Sequence, residues 1–106
     1  MASQQSTVDF ILDQIHGAGA VHAKKMFGEY GVYCHGKMVA LVCNDQLYVK
    51  PSDAGRTFVG DCEEGAPYPG ARPCLLISGD QWDDAEWLTR LIAISAAALP
   101  APKKSK

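Results

Sequence analysis

The sequence predicts an α+β fold: a two-layer sandwich in which an antiparallel sheet of about five strands carries an N-terminal and a C-terminal helix on one face. Three observations carry this expectation. Apolar residues recur at helical spacing near both ends of the chain, at Val8, Ile11, Leu12 and Ile15 and again at Ala85, Leu88, Leu91 and Ile92. Between them, from Lys24 to Lys50, short β-favouring runs alternate with turn dipeptides. The length of 106 residues, with 47% hydrophobic and 21% charged residues, suits one globular core.

Taken in order, Ser6-Thr7-Val8-Asp9 offers a hydroxyl cap with a carboxylate three residues on, and a first helix is expected over residues 7–16, ended by Gly17 and Gly19. The stretch 24–50 then reads as a meander of three or four strands, reversing at Gly28 to Gly31, His35-Gly36 and Asn44-Asp45. Pro51 stops the sheet, and Ser52-Asp53 caps a short helix reaching about Val59. Residues 60–73 include Ala66-Pro67-Tyr68-Pro69-Gly70, too rich in proline for a ladder, and are expected to form a constrained loop. Cys74 to Ser78 reads as a buried strand. Asp83 or Asp84 then caps a closing helix with an inward stripe of Ala85, Leu88, Leu91, Ile92, Ser95 and Leu99, which Pro100 ends. The domain is thus expected over residues 7–99, followed by a disordered basic tail at 100–106.

Strand parity divides the meander into two faces. With two-residue turns at His35-Gly36 and Asn44-Asp45, one face carries Tyr33, Met38, Ala40, Val42, Leu47 and Val49 and is expected beneath the helices. The other carries Val32, Cys34, Lys37, Val39, Leu41, Cys43, Gln46, Tyr48 and Lys50. Two helices are too few to cover both sides, so Val39, Leu41 and Tyr48 are predicted to form an exposed apolar contact patch, suited to a protein partner or to a second copy of the chain, with the loop from Glu63 to Pro73 as the alternative surface for a partner.

Composition removes several functions. No apolar stretch reaches the roughly 20 residues that cross a bilayer, and residues 1–7 lack a secretory signal, so a cytoplasmic protein without a membrane partner is expected. Formal charge is −2, but Lys103, Lys104 and Lys106 lie at the end, which leaves seven basic residues against twelve acidic in the body. An acidic body is a poor phosphate-tracking surface. Cys34, Cys43, Cys62 and Cys74 have no C-x-x-C spacing, and the expected register puts Cys43 opposite residue 28, roughly 20 Å from Cys34 along the strand. They read as reduced core thiols, with no metal or other cofactor expected.

Ser78 and Ser52 lack a nucleophile-elbow context, and no base can be assigned to either. The pairs Glu63-Glu64 and Asp83-Asp84 are explained by solvation and by a helix start. No catalytic residue is expected, and the chain reads as a binding module. The run Lys24-Lys25-Met26-Phe27-Gly28-Glu29-Tyr30-Gly31 lacks the glycine and lysine pattern of a nucleotide loop. Its glycines are read as a reversal between strands, with one aromatic anchoring the core. The alternative use of this run is weak nucleic-acid binding, with bases stacked on Phe27 or Tyr30 and phosphates met by Lys24 and Lys25.

The string Lys25-Met26-Phe27-Gly28-Glu29-Tyr30-Gly31-Val32-Tyr33, followed by His35-Gly36-Lys37-Met38-Val39-Ala40-Leu41-Val42 and Leu47-Tyr48-Val49-Lys50, resembles the N-terminal domain of the TfoX/Sxy family. The likeness extends more loosely through Pro67-Tyr68-Pro69 and the closing helix. It implies a secretion-chaperone-like two-layer α/β domain with no catalytic residues, found in bacterial regulators of competence for DNA uptake. Those regulators carry a second, C-terminal helical domain, so the resemblance implies a stand-alone version of the N-terminal one. Where the family commonly has a Tyr-Trp pair after the late strand, this sequence has Ser78-Gly79-Asp80-Gln81-Trp82.

Overall fold

The computed structural model describes residues 5–26, 29–60 and 62–99, without the side chain of Met26. Helix α1 (Gln5–Ile15) passes through a 3-10 turn (His16–Ala18) into strands β1 (Val21–Met26), β2 (Glu29–Cys34), β3 (Lys37–Cys43) and β4 (Gln46–Val49). There follow α2 (Asp53–Val59), β5 (Glu64–Gly65), β6 (Cys74–Ile77), α3 (Gly79–Trp82) and α4 (Ala85–Ala98). The sheet is antiparallel and six-stranded, in the order β1-β2-β3-β4-β6-β5. The α+β class and the helices over one face are as the sequence predicts. The sixth strand is the two-residue β5, in a segment read as loop, where Glu64 and Gly65 pair with Leu75 and Cys74.

Turn and cap chemistry fixes the connections. His35 and Gly36 have φ of 53° and 79°, and Asn44 and Asp45 have 53° and 57°, the left-handed pairs that close tight hairpins with the twist of the flanking strands. Ser52 accepts the Gly55 amide at 3.0 Å to start α2, and Asp84 accepts the Trp87 amide at 3.0 Å to start α4. Ser6, expected as a cap, instead lies within α1. Met26 pairs with Glu29, so the β1–β2 connection is residues 27 and 28 alone. Gly31 is not part of a turn but a buried mid-strand residue laddered to Lys24 and Leu41. Pro100 and the expected tail fall outside the described residues.

One β-bulge corrects the predicted parity. Tyr33 pairs with Met38 but Val32 pairs with Ala40, so Val39 is an extra residue in β3. A bulge of this kind turns two successive side chains to one side, and Val39 and Ala40 are both fully buried in the core beneath the helices. The alternation before it is therefore reversed. Tyr30, Val32 and Cys34 face the helices rather than solvent, while Tyr33 and Met38 fall on the other face. The register also moves by one, so that Val42 pairs with Tyr30 and Cys43 comes level with Glu29 rather than with residue 28.

The main core lies between this sheet face and α1, α2 and α4. Val8, Ile11 and Ile15 from α1 and Leu88, Leu91 and Ile92 from α4 are fully buried against Val32, Val42, Leu47, Val49, Leu75 and Ile77. Each such side chain contributes roughly 1.5–3 kcal/mol by leaving water. Polar ties lock the helices in place. Thr89 donates to the Gln14 carbonyl at 2.9 Å, Gln14 donates to the Trp82 carbonyl at 2.6 Å, and the Trp82 indole donates to the Ile77 carbonyl at 3.1 Å. Lys37 reaches under the C-terminus of α4 and donates to the carbonyls of Ala96 and Leu99 at 2.8 and 3.0 Å, satisfying acceptors that a helix end leaves free.

Candidate interaction site

The sheet face away from the helices holds a second, smaller cluster. Leu41, Cys43, Tyr48 and Cys74 are buried there, with Met38 and Leu76 half-buried against them. Ladder parity adds His22, Lys24, Gly31 and Tyr33 to the same face, where the rings of His22 and Tyr33 stack with centroids 5.1 Å apart. The proline-rich loop borders this cluster, its Pro67, Tyr68 and Ala71 sharing a hollow with Leu41 and Cys74. Pro67 is buried, and Tyr68, Pro69, Gly70 and Ala71 form a β-turn in which the Ala71 amide donates to the Tyr68 carbonyl at 3.0 Å. Gly70 has φ of 87°, which this turn requires at its third position. The turn presents Tyr68 with 55% of its surface exposed.

Beside Tyr68 the face hollows into a recess of about 410 Å³ lined by Glu29, Tyr30, Met38, Leu41, Cys43, Lys50 and Tyr68. A second hollow of about 360 Å³ shares Leu41, Lys50 and Tyr68 and adds Pro51, Pro67, Ala71, Arg72, Cys74 and Leu99. Tyr68 and Lys50 thus stand between two adjoining depressions with a largely apolar lining. Their ends differ in charge: the Glu29 carboxylate accepts the Asn44 amide at 3.2 Å, and Lys50 and Arg72 are basic.

The thiols and the phenol of this face are held neutral. Burial, then the charge of Glu29 and the nearby Cys74, push the Cys43 thiol up to about 11. Burial also raises Cys74, against the opposing pull of the Lys50 ammonium, and raises the Tyr48 phenol. Cys34 and Cys62 are raised by burial as well. A thiol displaced in this direction is a poor nucleophile, because the thiolate is the reactive form. Among the described residues no three His, Cys, Asp or Glu side chains gather as metal ligands, and no helix is long and apolar enough to cross a membrane.

The predicted contact residues separate under this geometry. Leu41 and Tyr48 lie on the helix-free face, but as the buried floor of the cluster, with 9% and 7% of their surfaces exposed. Val39 lies on the opposite side, in the main core. Tyr30 is the aromatic that anchors the core; its hydroxyl donates to the Gln5 side-chain oxygen at 3.1 Å, and its buried ring offers no stacking surface. Lys24 and Lys25 are exposed, but as neighbours in a strand they project to opposite faces. Phe27 lies outside the described residues.

Tyr68 lies within the loop from Glu63 to Pro73 that the sequence offers as a second contact surface, and the Tyr-Pro-Gly string that fixes its turn is plain in the sequence. The exposed His35 side chain lies against Gly19: a Cβ there, where φ is 129°, would sit 2.2 Å from the His35 ring.

The sequence matches the TfoX N-terminal domain family over residues 13–99. It is also 40% identical over 106 residues to an uncharacterized 12.7 kDa protein in the trpE 5′ region of Spirochaeta aurantia, an alignment covering all of this chain and 91% of that protein. With the six-stranded sheet, the Lys25–Tyr33 string and a matched span from α1 to the end of α4 in agreement, this chain belongs to the TfoX N-terminal domain family.

Proposed function

We propose that this domain is a non-enzymatic, cytoplasmic module that regulates by binding another protein, and that the partner docks on the helix-free face around Tyr68. One observation supports this reading above others: a rigid Pro-Gly turn holds an exposed tyrosine at the rim of an apolar recess. Anchors of this kind dominate binding energy, because a fixed aromatic loses little conformational freedom when it is buried. The regulatory part of the reading comes from the family, whose members include competence regulators. The neutral thiols support a binding role over catalysis.

Capture experiments test the reading. Tyr68→Asp places a charge at the rim without touching the core, and Phe10→Asp does the same at the 41%-exposed Phe10 of α1, on the helix side. A partner retained by wild type and Phe10→Asp but lost by Tyr68→Asp supports the docking face, and an unchanged partner set from Tyr68→Asp rules it out. A second copy of the chain is the simplest partner, and a strictly monomeric sedimentation profile at high micromolar concentration would exclude it.

A further inference from the structure

We infer that the recess beneath Tyr68 is a ligand site for a small amphipathic anion, a molecule with an apolar body and one carboxylate. The inference goes beyond the protein-docking reading, because it concerns the hollow itself rather than its rim. A volume of about 410 Å³ falls within the range of small-molecule sites, which are mostly apolar with a few polar groups that fix orientation.

The lining supplies both parts. Met38, Leu41 and the ring of Tyr68 provide apolar walls, and Lys50 provides the charge. Three observations make Lys50 the recognition group. It borders both hollows. It follows Val49 at the end of β4, with its amide donating to the Val39 carbonyl at 2.8 Å, and its charge is near enough to oppose the burial-driven rise of the Cys74 thiol. Among the described residues no carboxylate lies within ion-pair distance of it, the ion pair found there being Arg56 with Glu64. Arg72, across Tyr68 in the adjoining hollow, adds a second positive charge on the same side.

The opposite end of the recess has the reverse character. Glu29 accepts the Asn44 amide at the β3–β4 turn and contributes to keeping the Cys43 thiol protonated. A carboxylate therefore enters toward Lys50 with its apolar body along Leu41 and Met38. A site of this polarity rejects a cationic head group from the Lys50 end and gains from an anionic one through a charge-assisted hydrogen bond.

The test uses three probes of one chain length on the purified protein: octanoate, octanol and octylamine, followed by amide chemical shifts and by titration calorimetry. Octanoate is expected to shift Leu41, Cys43 and Lys50 amides saturably and to bind about tenfold more tightly than octanol. Lys50→Met should remove that difference while leaving octanol binding unchanged, and Lys50→Arg should restore it. Thermal melts of both variants establish that the fold is retained. Equal affinity for octanoate and octanol in wild type, tighter binding of octylamine, shifts confined to other faces, or no binding of any probe would each overturn the site.

Discussion

The two faces of the sheet are built from similar residues but do different work. On the helix side, side chains from three helices interdigitate with β2, β3, β4 and β6, and aliphatic side chains such as Ile11, Leu47, Leu88 and Leu91 are completely buried. On the other side four residues form a shallow cluster, and an irregular loop stands where a helix layer would be. The loop covers only part of the face and leaves hollows rimmed by Tyr68, Lys50 and Arg72. Burial on the first face holds the fold together. Incomplete burial on the second leaves apolar surface that a partner can still cover.

Matched truncations sharpen this contrast, and they carry the largest expected effect. Leu91→Ala opens a closed cavity and should cost about 3 kcal/mol in urea denaturation. Leu41→Ala should cost less, about 2 kcal/mol, because its site borders a hollow that water already reaches. Equal losses at the two positions would break the distinction.

Next in size is a response to alkali. Cys34, Cys43, Cys62, Cys74 and Tyr48 all ionise at higher pH in the folded protein than in the unfolded chain. Above the ordinary thiol value of 9.0 the unfolded chain loses protons that the folded one keeps, so stability falls with rising pH. For Cys43 the loss is complete only above about pH 11. Three of these five groups belong to the second face. Cys43→Ala should therefore flatten the decline in denaturation midpoint between pH 9 and 11, as read from matched urea curves.

Lys37→Met should cost about 1–2 kcal/mol, since two carbonyls at the end of α4 lose a charged donor. It should also raise amide exchange at the C-terminal turn of α4. The smallest effect has the opposite sign. The Ser95 hydroxyl is fully buried without a hydrogen-bond partner among the described residues, so Ser95→Ala should leave stability unchanged or raise it by up to about 1 kcal/mol.

Much of this architecture was legible because local chemistry and tertiary demand agree. His35-Gly36 and Asn44-Asp45 specify their hairpins, Ser52 and Asp84 cap their helices, and the stripe from Leu88 to Ser95 marks the face that α4 buries. The bulge at Val39 was not legible. An extra valine in an apolar run looks like any other strand residue, yet it reverses the facing of everything before it, and Tyr33 and Met38 changed sides with it. The candidate site was half legible for the same reason. Strand parity puts Leu41 and Tyr48 on the correct face, but the loop that borders Leu41 comes from a distant part of the sequence. Only the folded chain shows that Tyr68, and not Tyr48, reaches solvent.

The central claim, that the helix-free face is the recognition face, is tested most directly by site-specific photocrosslinking in cells. A photoreactive phenylalanine analogue is placed at position 68 or, in a separate protein, at position 10, the two exposed large aromatics among the described residues, on opposite sides of the sheet. A discrete adduct is expected from position 68 and none from position 10. An adduct from position 10 alone would contradict it.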